Sequence, residues 1–243
     1  MSNLTITYQP VLVLLSIGVA ILGSLTALAL TSLSESEDAG AGQKSFALAS
    51  GGLIMGATIW SMHFVAMMAV DFPVVVNYNL LETIGSIGIA IVSTGLGLYL
   101  ASTRRLGWPS IPLGGVLMGL GIAGMHYLGM GAIRGCGLGY DATLVAASIG
   151  IAIVASMAAL WFAFHKRTVI MTVVGGVVQG LAIASMHYTA MAATYFVPLG
   201  ANVQIHAPIF SQSRMAYMIA AGIVIISALN LTMVALMSRE EPA

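Results

Sequence analysis

The chain has 243 residues, of which 59% are hydrophobic and only 7% charged, and its mean hydropathy is +1.00. A soluble domain carries roughly 25% charged residues, so this composition excludes an ordinary water-soluble protein and predicts one that lies in the lipid bilayer. Eight basic and eight acidic residues cancel, leaving no basic face for nucleic acid, and the lone Cys136 excludes an intramolecular disulfide.

Seven long apolar stretches follow one another along the chain, separated by polar, charged or Gly/Pro-containing segments. Each is long enough to supply the 20 or so residues that a helix needs to cross the hydrocarbon core. The predicted spans are 10–31, 45–70, 79–102, 111–133, 142–164, 168–196 and 214–237. The sequence therefore predicts a single all-α integral membrane domain over residues 1–243, with seven transmembrane helices and antiparallel neighbours because most connections are short.

The basic residues predict the orientation, because they concentrate in cytoplasmic loops. With the amino terminus outside, six of the eight fall inside and two outside. Those inside are Lys44, Arg104, Arg105, Lys166, Arg167 and Arg239, and those outside are Arg134 and Arg214. We therefore expect an N-out, C-in membrane protein.

A short window recurs three times, as SMHFVAM at 61–67, GMHYLGM at 124–130 and SMHYTAM at 185–191. Aligned on His63, His126 and His187, the copies share glycines eleven and seven residues earlier and an isoleucine four residues earlier. The period is one pair of spans, which predicts a two-helix hairpin repeated three times. The copies lie in spans two, four and six, which run in the same direction, so we expect the histidines at one depth near the outer face.

The repeated glycines have the small-xxx-small spacing that lets transmembrane helices approach closely. The pairs are Gly52/Gly56, Gly115/Gly119 and Gly176/Gly180. We interpret them as packing positions rather than as ligand-binding residues.

The side chains in the windows point to a metal site. Residues four apart share a helix face, so each histidine lies beside the methionine that follows it by four, while the methionine just before it lies about 100° around the helix. The candidate ligands are His63, His126, His187, Met62, Met67, Met125, Met130, Met186 and Met191. Imidazole with thioether favours copper, especially Cu(I), whereas zinc more often uses thiolates and calcium or magnesium use oxygen. A single intramembrane histidine would fit a plain interhelical hydrogen bond; three at one depth favour a metal or cofactor site.

Four further residues are weaker candidates. His165 adjoins a basic inside loop and is expected to be solvated, whereas His206 lies in the long outer loop and could add a ligand. Cys136 is a possible soft ligand but more simply a loop thiol. Asp71 could orient an imidazole or cap a helix end.

The three windows resemble the MHYT domain, a bacterial integral membrane sensor module. Met186-His187-Tyr188-Thr189 spells the signature in full, while the first copy has Phe64 and Val65 and the second has Leu128. The resemblance implies a seven-helix domain whose motif histidines and methionines bind copper near the outer face. It also implies that the domain senses a diatomic gas such as O₂, CO or NO, and that it often precedes cytoplasmic modules that make or degrade cyclic di-GMP. The resemblance further implies a location in the bacterial inner membrane. Since this chain ends at SREEPA without such a module, we expect either a free-standing member that signals through a partner or an excised sensor domain.

Other functions remain open or are excluded. A haem protein would use two of the three histidines as axial ligands. A copper carrier or transporter would need donors at several depths, whereas the inner halves of spans two, four and six read mainly as Gly, Ala, Ile, Leu and Val. A retinal protein would need an intramembrane lysine, but Lys44 and Lys166 lie at loop edges. An enzyme is not predicted, since the spans contain no carboxylate pair or nucleophile–base constellation.

Overall fold

The protein is an all-α membrane protein whose seven helices are each long and apolar enough to cross a bilayer. The computed structural model describes residues 3–35, 40–103, 109–165, 168–199 and 212–237. The helices are α1 Pro10–Ser32, α2 Ala41–Met68, α3 Leu80–Ser102, α4 Ser110–Gly131, α5 Ala142–Phe164, α6 Val169–Ala192 and α7 Gln212–Met237. All seven predicted spans are confirmed, although three of them extend too far at their carboxyl ends.

Six short strands, which the sequence did not predict, lie at the helix ends. They are β1 Thr7–Tyr8, β2 Val70–Asp71, β3 Asn77–Tyr78, β4 Ile133–Arg134, β5 Cys136–Tyr140 and β6 Thr194–Pro198. They form three antiparallel pairs, β1 with β2, β3 with β4, and β5 with β6. The three overestimated spans are 45–70, 111–133 and 168–196. Buried strand residues such as Val70, Ile133 and Phe196 extend each apolar run beyond its helix.

The repeating unit is strand–helix–helix–strand, and it occurs three times before α7. Each strand pair joins the segment before the first helix of a unit to the segment after the second, so all three pairs lie at one end of the bundle, which we call the strand end. Helices α1 to α6 each pack on the next, and α6 packs on α1, which closes a ring. Helix α7 lies outside the ring against α1 and α2.

The glycines of α2, α4 and α6 bring each of these helices against the first helix of the following unit. A Cβ atom at Gly56 or Gly119 would lie 2.5 Å from the Cα of Ile91 or Ile153, and one at Gly180 would lie 2.7 Å from the Cα of Ile21. A side chain at any of these positions would force the backbones apart. The predicted packing role of these glycines is confirmed.

The orientation in the membrane stays a prediction. Five of the six basic residues that define the inner side, Arg104, Arg105, Lys166, Arg167 and Arg239, lie outside the described residues. At the strand end, Arg134 pairs with Glu82 at 2.7 Å.

Candidate metal centre

Three imidazoles from α2, α4 and α6 meet on the axis of the ring. His63, His126 and His187 each lie five residues before the last residue of their helices, which is about 7–8 Å of helix from the strand end. Each is 1% exposed. Their ring centroids are 4.8 Å apart for His63–His126 and 5.1 Å apart for the other two pairs, with interplanar angles of 73–76°. The rings therefore form a nearly symmetric three-bladed arrangement.

Most of the ring nitrogens have no hydrogen-bond partner. The Nδ1 atoms of His63 and His187 lie 3.1 Å apart, so one ring donates to the other. Among the described residues, Nε2 of His63, Nε2 of His187 and both nitrogens of His126 are buried without a partner. A buried polar atom left unpaired costs free energy, and native proteins rarely tolerate several in one place. Four unpaired nitrogens in one cluster could serve as the ligands of a metal ion.

The spacing of the nitrogens is close to what one ion needs. One nitrogen from each ring can be chosen so that all three lie within 4.8 Å of one another. Nitrogens bound at about 2.0–2.1 Å to a common ion lie roughly 3.3–3.6 Å apart. Binding therefore requires shifts of about an ångström, which side-chain rotation supplies, and the residues fit a single ion.

An aromatic residue follows each histidine and buttresses its ring. Phe64, Tyr127 and Tyr188 each meet the preceding imidazole edge to face, with centroids 4.9–5.0 Å apart. These contacts restrict the imidazole rotamers, and a ligand set held in place binds its ion more tightly.

In each unit, a serine of the neighbouring helix forms a hydrogen bond with an aromatic residue near the imidazoles. The sequence did not predict these serines. Tyr127 Oη lies 2.8 Å from Ser148 Oγ, and Tyr188 Oη lies 3.0 Å from Ser16 Oγ. Phe64 lacks a hydroxyl, and in its unit Trp60 Nε1 donates to Ser86 Oγ at 3.1 Å instead. All three serines are the seventh residue of their helices, so aligning the first helix of each unit would have revealed them.

The methionines that follow the histidines by four residues are buried together, towards the strand end. Met67, Met130 and Met191 share one apolar cluster with Cys136. This cluster, which we call the sulfur layer, lies one helical turn from the imidazoles.

The methionines that precede the histidines do not form such a layer. Met62 packs among residues of α1 and α7, whereas Met125 and Met186 belong to a different apolar cluster, which also contains Ile59 and Ile122. A ligand role for these three stays a prediction.

The four weaker candidate residues have different surroundings. Cys136 is buried in β5 rather than exposed in a loop, and burial raises the pKa of its thiol to about 11. Asp71 is exposed and accepts a hydrogen bond from Gln9 at 2.7 Å, which ties β1 to β2. His165 is exposed, as expected, and stacks on Trp161. His206 lies outside the described residues.

The inner half of the axis is less uniformly apolar than the sequence suggested. Met55, Met118 and Gln179 each lie eight residues before a motif histidine and line the same cavity. The sequence pattern did not predict them, because the three copies do not share one residue type at this position. Donor atoms therefore occur at more than one depth.

Comparison with known proteins identifies the repeat. Residues 56–114, 119–176 and 180–241 match the model of the MHYT family, described as a bacterial signalling protein N terminal repeat. No solved structure matches the chain.

Several curated proteins are similar to this chain over most of its length. It is 42% identical over 201 residues to the bifunctional diguanylate cyclase/cyclic di-GMP phosphodiesterase MucR of Pseudomonas aeruginosa, covering 80% of the chain and 29% of that protein. It is 35% identical to the signaling protein YkoW of Bacillus subtilis, covering 82% of the chain and 26% of YkoW. The cyclic di-GMP phosphodiesterase NbdA of P. aeruginosa is also 35% identical, with 83% and 26% covered. The chain thus spans less than a third of the length of these relatives.

Proposed function

The chain belongs to the MHYT family of membrane sensor domains of bacterial signalling proteins, and we propose that it binds copper through its three motif histidines and senses a diatomic gas or the redox state. The observation that supports the proposal best is the cluster of His63, His126 and His187, with four buried, unpartnered ring nitrogens. Neutral imidazoles in apolar surroundings suit copper, and the thioethers of the sulfur layer favour Cu(I).

The protein residues have separate roles in this proposal. The imidazoles hold the ion, and Met67, Met130 and Met191 offer soft donors on its strand-end side. Bound copper would supply an open coordination position for O₂, CO or NO. The aromatic residues beside the imidazoles exclude water and hold the rings in place.

Signal transmission follows from the location of the ligands on three different helices. A change in the ligand set would move α2, α4 and α6 relative to one another, and helix shifts of about 1–2 Å are a common switching motion. We propose that the shifts reach a cytoplasmic output across the bacterial inner membrane, and that the chain itself is not an enzyme. The relatives named for diguanylate cyclase and phosphodiesterase activities suggest cyclic di-GMP as the second messenger.

Haem is the weaker cofactor. An iron with two axial histidines places the porphyrin between the imidazoles. The three rings here pack within 5.1 Å of one another, which leaves no slot for a macrocycle.

Copper binding tests the metal site. The full chain in detergent, loaded with Cu(I) and desalted, should retain copper, and a His63→Gln/His126→Gln/His187→Gln variant should retain about one copper ion fewer. His165→Gln, in which the exposed histidine is replaced, is the matched control and should bind as the wild type does. Equal copper content in the wild type and the triple variant would overturn the assignment.

A chimera tests the signalling role. The chain replaces the matching membrane domain of MucR, and cyclic di-GMP is measured in cells with and without copper or oxygen. We expect a response that the triple histidine variant abolishes. A response that persists without the histidines would show that the sensed signal is read elsewhere.

A further inference from the structure

A second set of donor atoms lies deeper on the ring axis than the imidazoles. Met55, Met118 and Gln179 each precede a motif histidine by eight residues, which is about 12 Å along the helix. Between the two levels, at four residues before the histidines, lie Ile59, Ile122 and Ile183. The deeper set, which we call the inner layer, is therefore separated from the imidazoles by an apolar level.

A small cavity of about 20 Å³ lies directly against the inner layer. Met55, Met118 and Gln179 line it, together with Ser156 and Met186. The same three residues of the inner layer also line a second cavity of about 10 Å³. The inner layer thus borders both cavities.

The amide of Gln179 presents an unpartnered oxygen in this region. Gln179 is 4% exposed, and its Nε2 donates to the carbonyl oxygen of Ala159 at 3.2 Å. A carbonyl oxygen only accepts, so the amide nitrogen must face it and Oε1 is left as the free acceptor. Within the part of the chain that the structure describes, neither Gln179 Oε1 nor Ser156 Oγ has a hydrogen-bond partner. Burying two such atoms without partners costs free energy, and a bound ligand that either oxygen could reach would offset that cost.

We propose that the inner layer is a second binding site for a soft monovalent cation, Cu(I). The thioether sulfurs of Met55 and Met118 and the amide oxygen of Gln179 are its ligands, and the sulfur of Met186 lines the same cavity. Thioethers select Cu(I) among the biological metals. None of the described residues that line the cavity has a carboxylate, imidazole or thiolate group, and these are the ligands that zinc, calcium and magnesium prefer.

The site is expected to fill after the imidazole site. Placing a positive charge in the membrane interior costs free energy, and neutral thioethers offset little of that cost. Three imidazoles are stronger donors to a metal ion, so the imidazole site should have the higher affinity. Two classes of copper site, separated by the isoleucine level, follow from this difference. The inference does not depend on the sensor role proposed above, because it concerns other residues.

Silver binding tests the inner layer. Ag(I) serves as a redox-inert soft probe, added to the full chain in detergent and counted by mass spectrometry after desalting. The Met55→Leu/Met118→Leu variant should bind about one silver ion fewer than the wild type, because leucine keeps the volume but has no sulfur. Met218→Leu, in which an exposed methionine of α7 is replaced, is the matched control and should leave the count unchanged.

Two further measurements make the result decisive. The first is the NMR spectrum of the wild type carrying ¹³C-methyl methionine, in which the Met55 and Met118 signals are assigned from the single leucine variants. These signals should shift as silver is added. This measurement does not require the double variant to fold. The triple histidine variant should retain the silver bound at the inner layer, so that failure of the imidazole site is distinguished from failure of this one. An unchanged silver count in the double variant, or methyl signals that do not move, would overturn the proposal and leave an ordered water in the cavity, whose volume suffices for one.

Discussion

At the scale of single residues, Gly129 controls the space available to one imidazole. It lies three residues after His126, where the other copies have Ala66 and Ala190. A Cβ atom at Gly129 would lie 2.5 Å from Nε2 of His63. The second repeat therefore keeps a glycine because the His63 ring packs directly on the backbone of α4.

Replacing Gly129 by alanine should displace the His63 ring while leaving the helix intact. Alanine is the better helix former by about 1 kcal/mol, so we expect no loss of helicity. Copper affinity should fall about 10–100-fold, the range for changes that disturb the orientation of a metal ligand. Competition with a Cu(I) chelator measures it. Gly131→Ala is the control, since its new methyl group meets no atom within 4 Å, and equal affinities for the two variants would contradict the argument.

The thiol of Cys136 should react slowly at neutral pH. Burial raises its pKa from 9.0 to about 11, so the thiolate fraction between pH 7 and 8 is about 100-fold lower than for an ordinary cysteine. Labelling with iodoacetamide, followed by mass spectrometry, should be slow in the native protein and rapid after denaturation. Since this is the chain's only cysteine, the readout is unambiguous. Rapid labelling of the native protein would show that the sulfur layer is open to solvent.

At the scale of helices and strands, the contact between Gly119 and α5 is the clearest packing constraint. Gly119→Ala would place a methyl group 2.5 Å from the Cα of Ile153. Overpacking of this kind costs typically about 1–3 kcal/mol, so we expect a lower thermal unfolding temperature in detergent. Gly124→Ala, on the same helix but with no atom within 4 Å of the new methyl, should unfold as the wild type does. An unchanged unfolding temperature for Gly119→Ala would mean that α4 and α5 separate readily.

The sequence predicted helices better than strands for a physical reason. Helix α5 was predicted at 142–164 and found at Ala142–Phe164, because the polar residues Asp141 and His165 bound an uninterrupted apolar run. Strand β6 was absorbed into the preceding span, since buried Phe196 continues the hydropathy of α6. Hydropathy reports burial, not backbone conformation, and it cannot separate a buried strand from the end of a helix.

The candidate site was predictable only where the repeats keep the same residue. The three histidines and the sulfur-layer methionines recur at fixed positions, so the windows were visible in one sequence. The inner layer changes from methionine to Gln179 in the third copy, and the anchoring serines Ser16, Ser86 and Ser148 lie on other helices. Which helices pack together had to come from three-dimensional contacts.

At the scale of the whole molecule, the three repeats form a closed ring around the imidazoles. The closure is completed by α6 packing on α1, and α7 breaks the threefold pattern because, among the described residues, it packs mainly against α1 and α2. A ligand change at the axis would move α2, α4 and α6 together. Of these three helices, α2 is the one that the structure shows in close contact with α7. A movement shared by the three repeats would therefore reach α7, the last of the described helices, through α2 alone of these three.

The orientation of this ring decides which compartment would supply the proposed metal ion. Basic residues predict the strand end outside, and there the imidazoles lie about 7–8 Å of helix from the surface. Fusions of green fluorescent protein and alkaline phosphatase after residues 165, 199 and 237 measure the orientation. Fluorescence is expected after 165 and 237, and phosphatase activity after 199. The opposite pattern would put the imidazoles near the cytoplasm and the inner layer near the outer face, so that copper from outside would meet the thioethers first.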